Sequence, residues 1–441
     1  MSAAGWPWEP AGTGRAPDAV DILPGRPLVG RVRVPGDKSV SHRALLMAAS
    51  AEGTSTIRGL SDGDDVRHTA LAVLACGARA SLAGPGLASI ELTGGLLHEP
   101  EVPLDLGNSG TGLRLMAGWA AAHAWFTVLY GDEYLARRPM DRVAAPLRSM
   151  GARVDGRDEG RLPPLAISGG NLHGIDYLLP MASAQVKAAI LLAGLGAEGV
   201  TTVREPAPVR AHTEELLSLF GADVTVVDDG ASVSVRPCSL RATAVDVPGD
   251  PSQAAFWVVA ASIVPGSDVT VEDVYVGRAR SGFLDVLGRM GADVEVTMRG
   301  AHTADIRVRY APLRGTVVAG EEVPGLIDEI PALAVAAACA EGVTEFRDAS
   351  ELRVKETDRV ATVAATLASL GGSIEQRPDG LAVRGPLPLH GAVVDGRGDH
   401  RVAMAAAVAA LVADKPSRVT GWAAVATSYP GFVSDLEALQ A

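Results

Sequence analysis

The sequence predicts an α/β protein of two domains, each built from three βαβαββ units. Three observations carry that expectation. A turn followed by an almost wholly apolar helix recurs six times. An amphipathic helical stretch follows each, ending in five cases at a glycine. The tetrapeptide VPGD occurs at Val34 to Asp37 and again at Val247 to Asp250.

The apolar segments are PGDKSVSHRALLMAA from Pro35, GNSGTGLRLMAGWAA from Gly107, SAQVKAAILLAGL from Ser183, GDPSQAAFWVVAA from Gly249, DEIPALAVAAACA from Asp328 and GDHRVAMAAAVAAL from Gly398. They recur roughly every 70 to 80 residues, too long a period for the common solenoids. After each comes a β-like run: TSTIRG, WFTVLYG, VTTVRE, DVTVEDV, VTEFRD and SRVTGW. The second helix then ends where a C-cap belongs, at Gly77, Gly151, Gly221, Gly291 and Gly371. In Glu356 to Leu370, for instance, Val360, Val363, Ala364, Leu367 and Leu370 share one face. Two strand-like runs close each unit, as in ADVTVVDD and ASVSVRP.

A helix apolar on all sides must be buried, whereas an amphipathic one covers a sheet and faces water. Three units around buried helices make one domain, so six make two. The sixth unit stops after its amphipathic helix, and Ile22 to Val34 is expected to supply its missing strands. Residues 1–17 then form a loose tail, 18–36 with 250–441 one discontinuous domain, and 37–249 the other. The two crossings near the VPGD sites form a hinge.

Composition excludes several functions. A formal charge of −13 opposes general binding to nucleic acid or anionic membranes. Cys76, Cys238 and Cys339 are odd in number and lack a CxxC spacing, against a disulfide framework or thiolate zinc site. Met1 to Pro17 has no apolar signal core, and the apolar runs fall short of the ~20 residues that span a bilayer. A soluble, cytoplasmic protein is expected. Lysine survives only at Lys38, Lys187, Lys355 and Lys415 in an arginine-rich chain. Chance retention explains Lys415, beside Asp414 and Pro416; the others invite a reason.

Polar residues collect where the buried helices begin, where free N–H groups and the helix dipole favour anions. Lys38 and Ser39 stand at the first turn, with Arg43 four residues beyond Ser39. Together they suit a dianion; a serine N-cap with two surface cations is the plain alternative. Asn108-Ser109-Gly110-Thr111-Gly112 is a flexed turn able to turn N–H groups onto an oxyanion. Arg137 and Arg138 offer guanidinium forks, or a solvated charge pair. LRVKETDR puts Lys355 and Arg359 at i,i+4 around Glu356, or forms a salt-bridged helix start. Asp328 and Glu329 precede the fifth buried helix, and Asp399-His400-Arg401 the sixth. Their recurrence at equivalent points suggests a cationic cleft between the domains, for small polyanions, with carboxylates to move protons.

PGDKSVSHR, GNSGTGLR, RRPM, SAQVK, DEIP, LRVKETDR and GDHR occur in the order found in the EPSP synthases, and the chain resembles that family from about Leu23 to its end. The resemblance implies the two-domain enolpyruvyl transferase fold, an inverse α/β prism. It implies transfer of the enolpyruvyl group of phosphoenolpyruvate to the 5-hydroxyl of shikimate 3-phosphate. Lys38, Ser39, Arg43, Ser183, Ala184, Gln185 and Arg210, with Asp328 and Lys355, would hold shikimate 3-phosphate. Lys38, Gly110, Arg138, Gln185, Arg359 and Arg401 would hold phosphoenolpyruvate, with Asn108 nearby. Asp328 would take the 5-hydroxyl proton, and Glu356 with Lys38 would serve the methylene carbon. No metal, cofactor or covalent enzyme intermediate is implied, and the expected form is a monomer.

Two positions depart from many relatives, Glu351 where Asn is usual and Thr427 where Lys is usual. They align the chain with a second branch of the family, which often has Ala where Gly110 stands. Gly110 leaves room for glyphosate, so sensitivity is expected. The sister transferase acting on UDP-N-acetylglucosamine usually has a Cys where Glu133 stands. A non-catalytic anion-binding relative would not need both Asp328 and Glu356.

Overall fold

The computed structural model describes residues 17–83 and 89–441; the expected tail therefore lies outside the described residues except at Pro17. The chain forms two compact units, Gly36–Val247 and residues 17–35 with Pro248–Ala441. Each has its own hydrophobic core.

The apolar repeats form six helices: α1 (Lys38–Ser50), α3 (Gly110–Ala121) and α5 (Ala184–Gly194) in the first unit, α7 (Pro251–Ile263), α9 (Ile330–Cys339) and α11 (His400–Ala410) in the second. Every residue of α7 and α11 is buried, as a helix without a polar face requires. The amphipathic helices are α2 (Asp64–Ala75), α4 (Asp141–Ser149), α6 (His212–Leu219), α8 (Gly282–Met290), α10 (Arg359–Ser369) and α12 (Phe432–Leu439). Gly77, Gly151, Gly221, Gly291 and Gly371 all take positive φ, between 79° and 107°, where a Cβ would be strained.

Each helix pair is joined to a sheet of one plan. In Leu104–Asp105, Phe126–Tyr130, Leu162–Ser168, Arg153–Gly156, the short strand before the buried helix runs parallel to the strand after it. The last two strands of the unit then add antiparallel. Four repeats pair in this way within themselves. At the two VPGD sites the partners are exchanged. Val29–Val32 precedes α1 yet pairs with Asp268–Tyr275, after α7. Ala244–Asp246 precedes α7 yet pairs with Gly53–Arg58, after α1. The chain thus contributes one strand to each unit from the other unit's half of the sequence.

The sixth sheet corrects the expectation for Ile22 to Val34. Among the described residues it has three strands, Val393–Asp395, Ser417–Thr420 and Ala19–Ile22, the last antiparallel in the place of the missing final strand. Only one strand is supplied, and it begins upstream at Ala19, because Val29–Val32 is taken by the fourth sheet. A second correction concerns Glu356. The amphipathic helix begins at Arg359, capped by Asp358, whose carboxylate accepts the Ala361 N–H at 3.1 Å. Lys355 and Arg359 therefore do not lie a helical turn apart; Asp, a far better N-cap than Glu356, sets the start.

Candidate active site

The first unit builds its polar site from the starts of α1, α3 and α5. Asp37 caps α1 through Val40 N–H at 2.9 Å, which makes Lys38 and Ser39 the first helical residues rather than part of the turn. The Lys38 ammonium donates to Asp65 at 2.8 Å. Arg43 is no surface cation: 1% exposed, it donates to Thr213 Oγ1 at 2.7 Å, to the Ser39 carbonyl at 2.8 Å and to the Ala184 carbonyl at 3.2 Å. That side chain ties the α1 start to the α5 start, where Ser183 caps Val186 at 3.4 Å.

Gln185 uses both ends of its amide. Its oxygen accepts from Arg114 at 2.6 Å, and its nitrogen donates to Thr111 Oγ1 at 2.8 Å. Arg114 also donates to the Pro139 carbonyl at 2.9 Å, next to Arg138. Gly110 opens α3 behind its cap, Ser109, and lies against the Arg138 guanidinium: a Cβ there would fall 2.5 Å from Arg138 Cζ. Asn108 donates to Asp132 at 2.8 Å, and Asp132 also accepts from the Tyr134 and Leu135 N–H groups that lead to Arg138. Arg137 points outward and is exposed. Arg210 is half-buried in the irregular segment between Thr201–Arg204 and α6.

A buried relay aligns these starts. His42 bonds to Thr69 Oγ1 at 2.8 Å and to the Ser109 hydroxyl at 3.2 Å, while Ser109 Oγ accepts the Gly112 N–H. Burial, and then the charges of Lys38 and Arg43, hold its pKa well below the ordinary value, so the ring is neutral.

The second unit concentrates carboxylates. Asp328 lies in the turn before α9, its Oδ1 3.4 Å from Arg359 Nη1 and 3.5 Å from Lys355 Nζ. Arg359 also donates to Glu356 at 2.6 Å and to Asp399 at 2.8 Å. Burial of its guanidinium opposes the charge, but Asp399, Glu356 and Asp328 outweigh that and push its pKa far up. Arg401 donates to the Asp328 carbonyl at 2.9 Å, and Asp399 caps α11 through the Arg401 N–H at 3.0 Å. Lys355 reaches Glu351 at 3.2 Å, and the Thr427 hydroxyl donates to the Ala424 carbonyl. Within this unit Asp328, Lys355, Glu356, Arg359 and Arg401 thus form one cluster.

Sequence reasoning missed Arg114 and Asp132 as members, and named Asp399 only as a residue preceding the sixth buried helix. Arg114 had a signal, standing one helical turn after Gly110. Asp399 had one as well, since a cap residue before a buried helix can serve a buried cation. Asp132 had none.

The model of the EPSP synthase (3-phosphoshikimate 1-carboxyvinyltransferase) family matches residues 22–436. The chain belongs to the EPSP synthase family. It is 52% identical over 425 residues to the 3-phosphoshikimate 1-carboxyvinyltransferase of Gloeobacter violaceus, covering 95% of this chain and 98% of that one. The EPSP synthase structure from Acinetobacter baumannii superposes with a TM-score of 0.84 at 40% identity, over 96% of this chain and 98% of that one. The enolpyruvyl transferase NikO of Streptomyces tendae shares the fold, with a TM-score of 0.79 at 21% identity, over 95% of this chain and 96% of that one. Among the described residues no helix is long and apolar enough to cross a membrane.

Proposed function

We propose that this chain transfers the carboxyvinyl group of phosphoenolpyruvate to the 5-hydroxyl of shikimate 3-phosphate, releasing phosphate. The family supports that activity, and the observation that carries the site reading is the pair of carboxylates on one buried guanidinium. Asp328 and Glu356 both reach Arg359, with Lys355 beside Asp328.

In this reading the 5-hydroxyl oxygen attacks C2 of phosphoenolpyruvate and Asp328 takes its proton. Glu356, with Lys38, delivers a proton to the methylene carbon, giving a tetrahedral adduct. Removal of a methyl proton by the same group then re-forms the double bond and expels phosphate. Lys38, Ser39, Arg43, Ser183, Ala184, Gln185 and Arg210 hold shikimate 3-phosphate with Asp328 and Lys355. Lys38, Asn108, Gly110, Arg138, Gln185, Arg359 and Arg401 hold phosphoenolpyruvate.

Electrostatics favour this division. In the first unit Lys38, Arg43, Arg114 and Arg138 gather near the helix starts, which favours anions there in an acidic protein. In the second, Lys355 is matched by Glu351 and Asp328, and Arg359 by Asp328, Glu356 and Asp399, which supplies carboxylates for proton exchange. Fixed guanidinium and ammonium groups stabilise the charge that develops on the departing phosphate without reorganising. We place the enzyme in the cytoplasm as a monomer that works without metal or cofactor.

The test is phosphate release from phosphoenolpyruvate with shikimate 3-phosphate or UDP-N-acetylglucosamine as acceptor. Turnover with shikimate 3-phosphate is expected. Release only with the UDP-sugar, or with neither, would overturn the reading.

A further inference from the structure

We propose that Lys187 is a positioning residue for shikimate 3-phosphate: it clamps both ends of the loop that carries Arg210 and thereby sets affinity without touching the substrate. The proposal rests on the reading of the site given above.

Lys187 lies in α5 one turn beyond Ser183, with its N–H on the Ser183 carbonyl at 3.1 Å. Its side chain is completely buried, and its ammonium donates to Glu205 at 2.6 Å and to Glu214 at 2.7 Å, two carboxylates at most 5% exposed. Glu205 follows the strand Thr201–Arg204, and Glu214 stands in the first turn of α6. One ammonium therefore joins the entry and the exit of the segment between them.

That segment, Pro206 to Ala211, belongs to no helix or strand. The second oxygen of Glu205 accepts the Val209 N–H at 3.0 Å, one residue before Arg210. A continuous path thus runs from Lys187 through Glu205 to the backbone that aims Arg210. The other arm of the clamp ends beside Thr213, whose hydroxyl accepts from Arg43 at 2.7 Å. Both guanidinium groups assigned to this substrate in the first unit are therefore steadied from one point.

The residue type fits the task. A compact ammonium with three donors sits between two carboxylates, where a planar guanidinium fork would demand more room. Buried carboxylates deprived of their cation are driven towards water. Glu205 would carry the loop with it. This accounts for one of the few lysines in an arginine-rich chain.

Lys187→Met alone strands two buried carboxylates and can cost the fold. The informative variant is Lys187→Met/Glu205→Gln/Glu214→Gln, which removes all three charges at nearly constant volume. Three measurements are made on the full chain. Amide exchange over 205–211 without substrate should quicken by about tenfold or more. KM for shikimate 3-phosphate should rise about 10- to 100-fold, with kcat and the phosphoenolpyruvate KM within about threefold. Arg210→Ala, costly in the natural chain, should add less than about threefold in the triple variant. Unchanged exchange, an unchanged KM, or an undiminished Arg210→Ala effect each overturns the proposal. If the natural chain gives no turnover with shikimate 3-phosphate, the functional reading fails, and loop exchange alone decides the clamp.

Discussion

Replacing Gly110 by Ala tests the phosphoenolpyruvate half of the site with a single methyl group. The added Cβ would lie 2.5 Å from Arg138 Cζ, 2.6 Å from Nη1 and 2.9 Å from Nη2, where ordinary contact begins at 3.4 Å. The backbone at Gly110 is set by the start of α3 and its Ser109 cap, so the arginine side chain must yield. It has to retreat by about 1 Å, enough to lengthen a charge-assisted hydrogen bond beyond its useful range. Losing one such bond costs about 1.5–3 kcal/mol, or roughly a 10- to 100-fold rise in KM. Steady-state phosphate release should show that rise for phosphoenolpyruvate, with little change for shikimate 3-phosphate. Thermal stability should hold, because alanine is the better helix former. A phosphoenolpyruvate KM within twofold of the natural value would refute either the contact or the role of Arg138.

Asp328→Asn and Glu356→Gln should each lower kcat by about 100- to 10,000-fold in a protein that still folds; near-normal kcat in either would reject its proton role. Three carboxylates on arginines, namely Asp268 with Arg307, Asp293 with Arg309 and Asp305 with Arg299, are held below the ordinary range by side-chain hydrogen bonds from those arginines. Because the folded values lie below the unfolded value of about 4, their stabilisation is present above it and is lost as pH falls through the folded values. Urea midpoints should accordingly drop between pH 5 and pH 3, less steeply in high salt; a flat profile would contradict the sign. Burial pushes the thiols of Cys76 and Cys339 up to about 12. A disulfide reagent at pH 8 should therefore modify Cys76 and Cys339 slowly until the protein is unfolded, and fast modification of both would contradict the raised thiols.

The six-fold repeat was legible because its signals are local. Helices without a polar face, glycines past helix ends and the doubled VPGD each report on a few adjacent residues. What escaped was set by partners distant in sequence. Nothing near Ile22 or Val29 tells which sheet each strand joins; that follows from which edges the other repeats leave open. The start of α10 went astray because the polar run 355–359 carries no period that marks a boundary, while Asp358 decides where the helix begins. In the site, residues on helix starts were found, Asp399 among them, but the partners they hold were not. Arg359 carries a motif, but Asp399, 40 positions away, owes its place to packing.

The exchanged strands bear on the life of the chain before it is complete. Asp21, paired with Arg418 in the finished protein, leaves the ribosome 397 residues ahead of it. At ~5–20 residues per second the amino-terminal strand waits roughly 20–80 s for its partner. Val29–Val32 must wait for Asp268–Val271, while the first unit can close as soon as Ala244–Asp246 emerges. Nascent chains should thus pass through a long stage in which one unit is finished and an unpaired leader precedes it. Such open strand edges invite pairing with neighbouring chains. Slow translation or crowded polysomes would be felt there first, as a loss of yield with no defect in the mature enzyme.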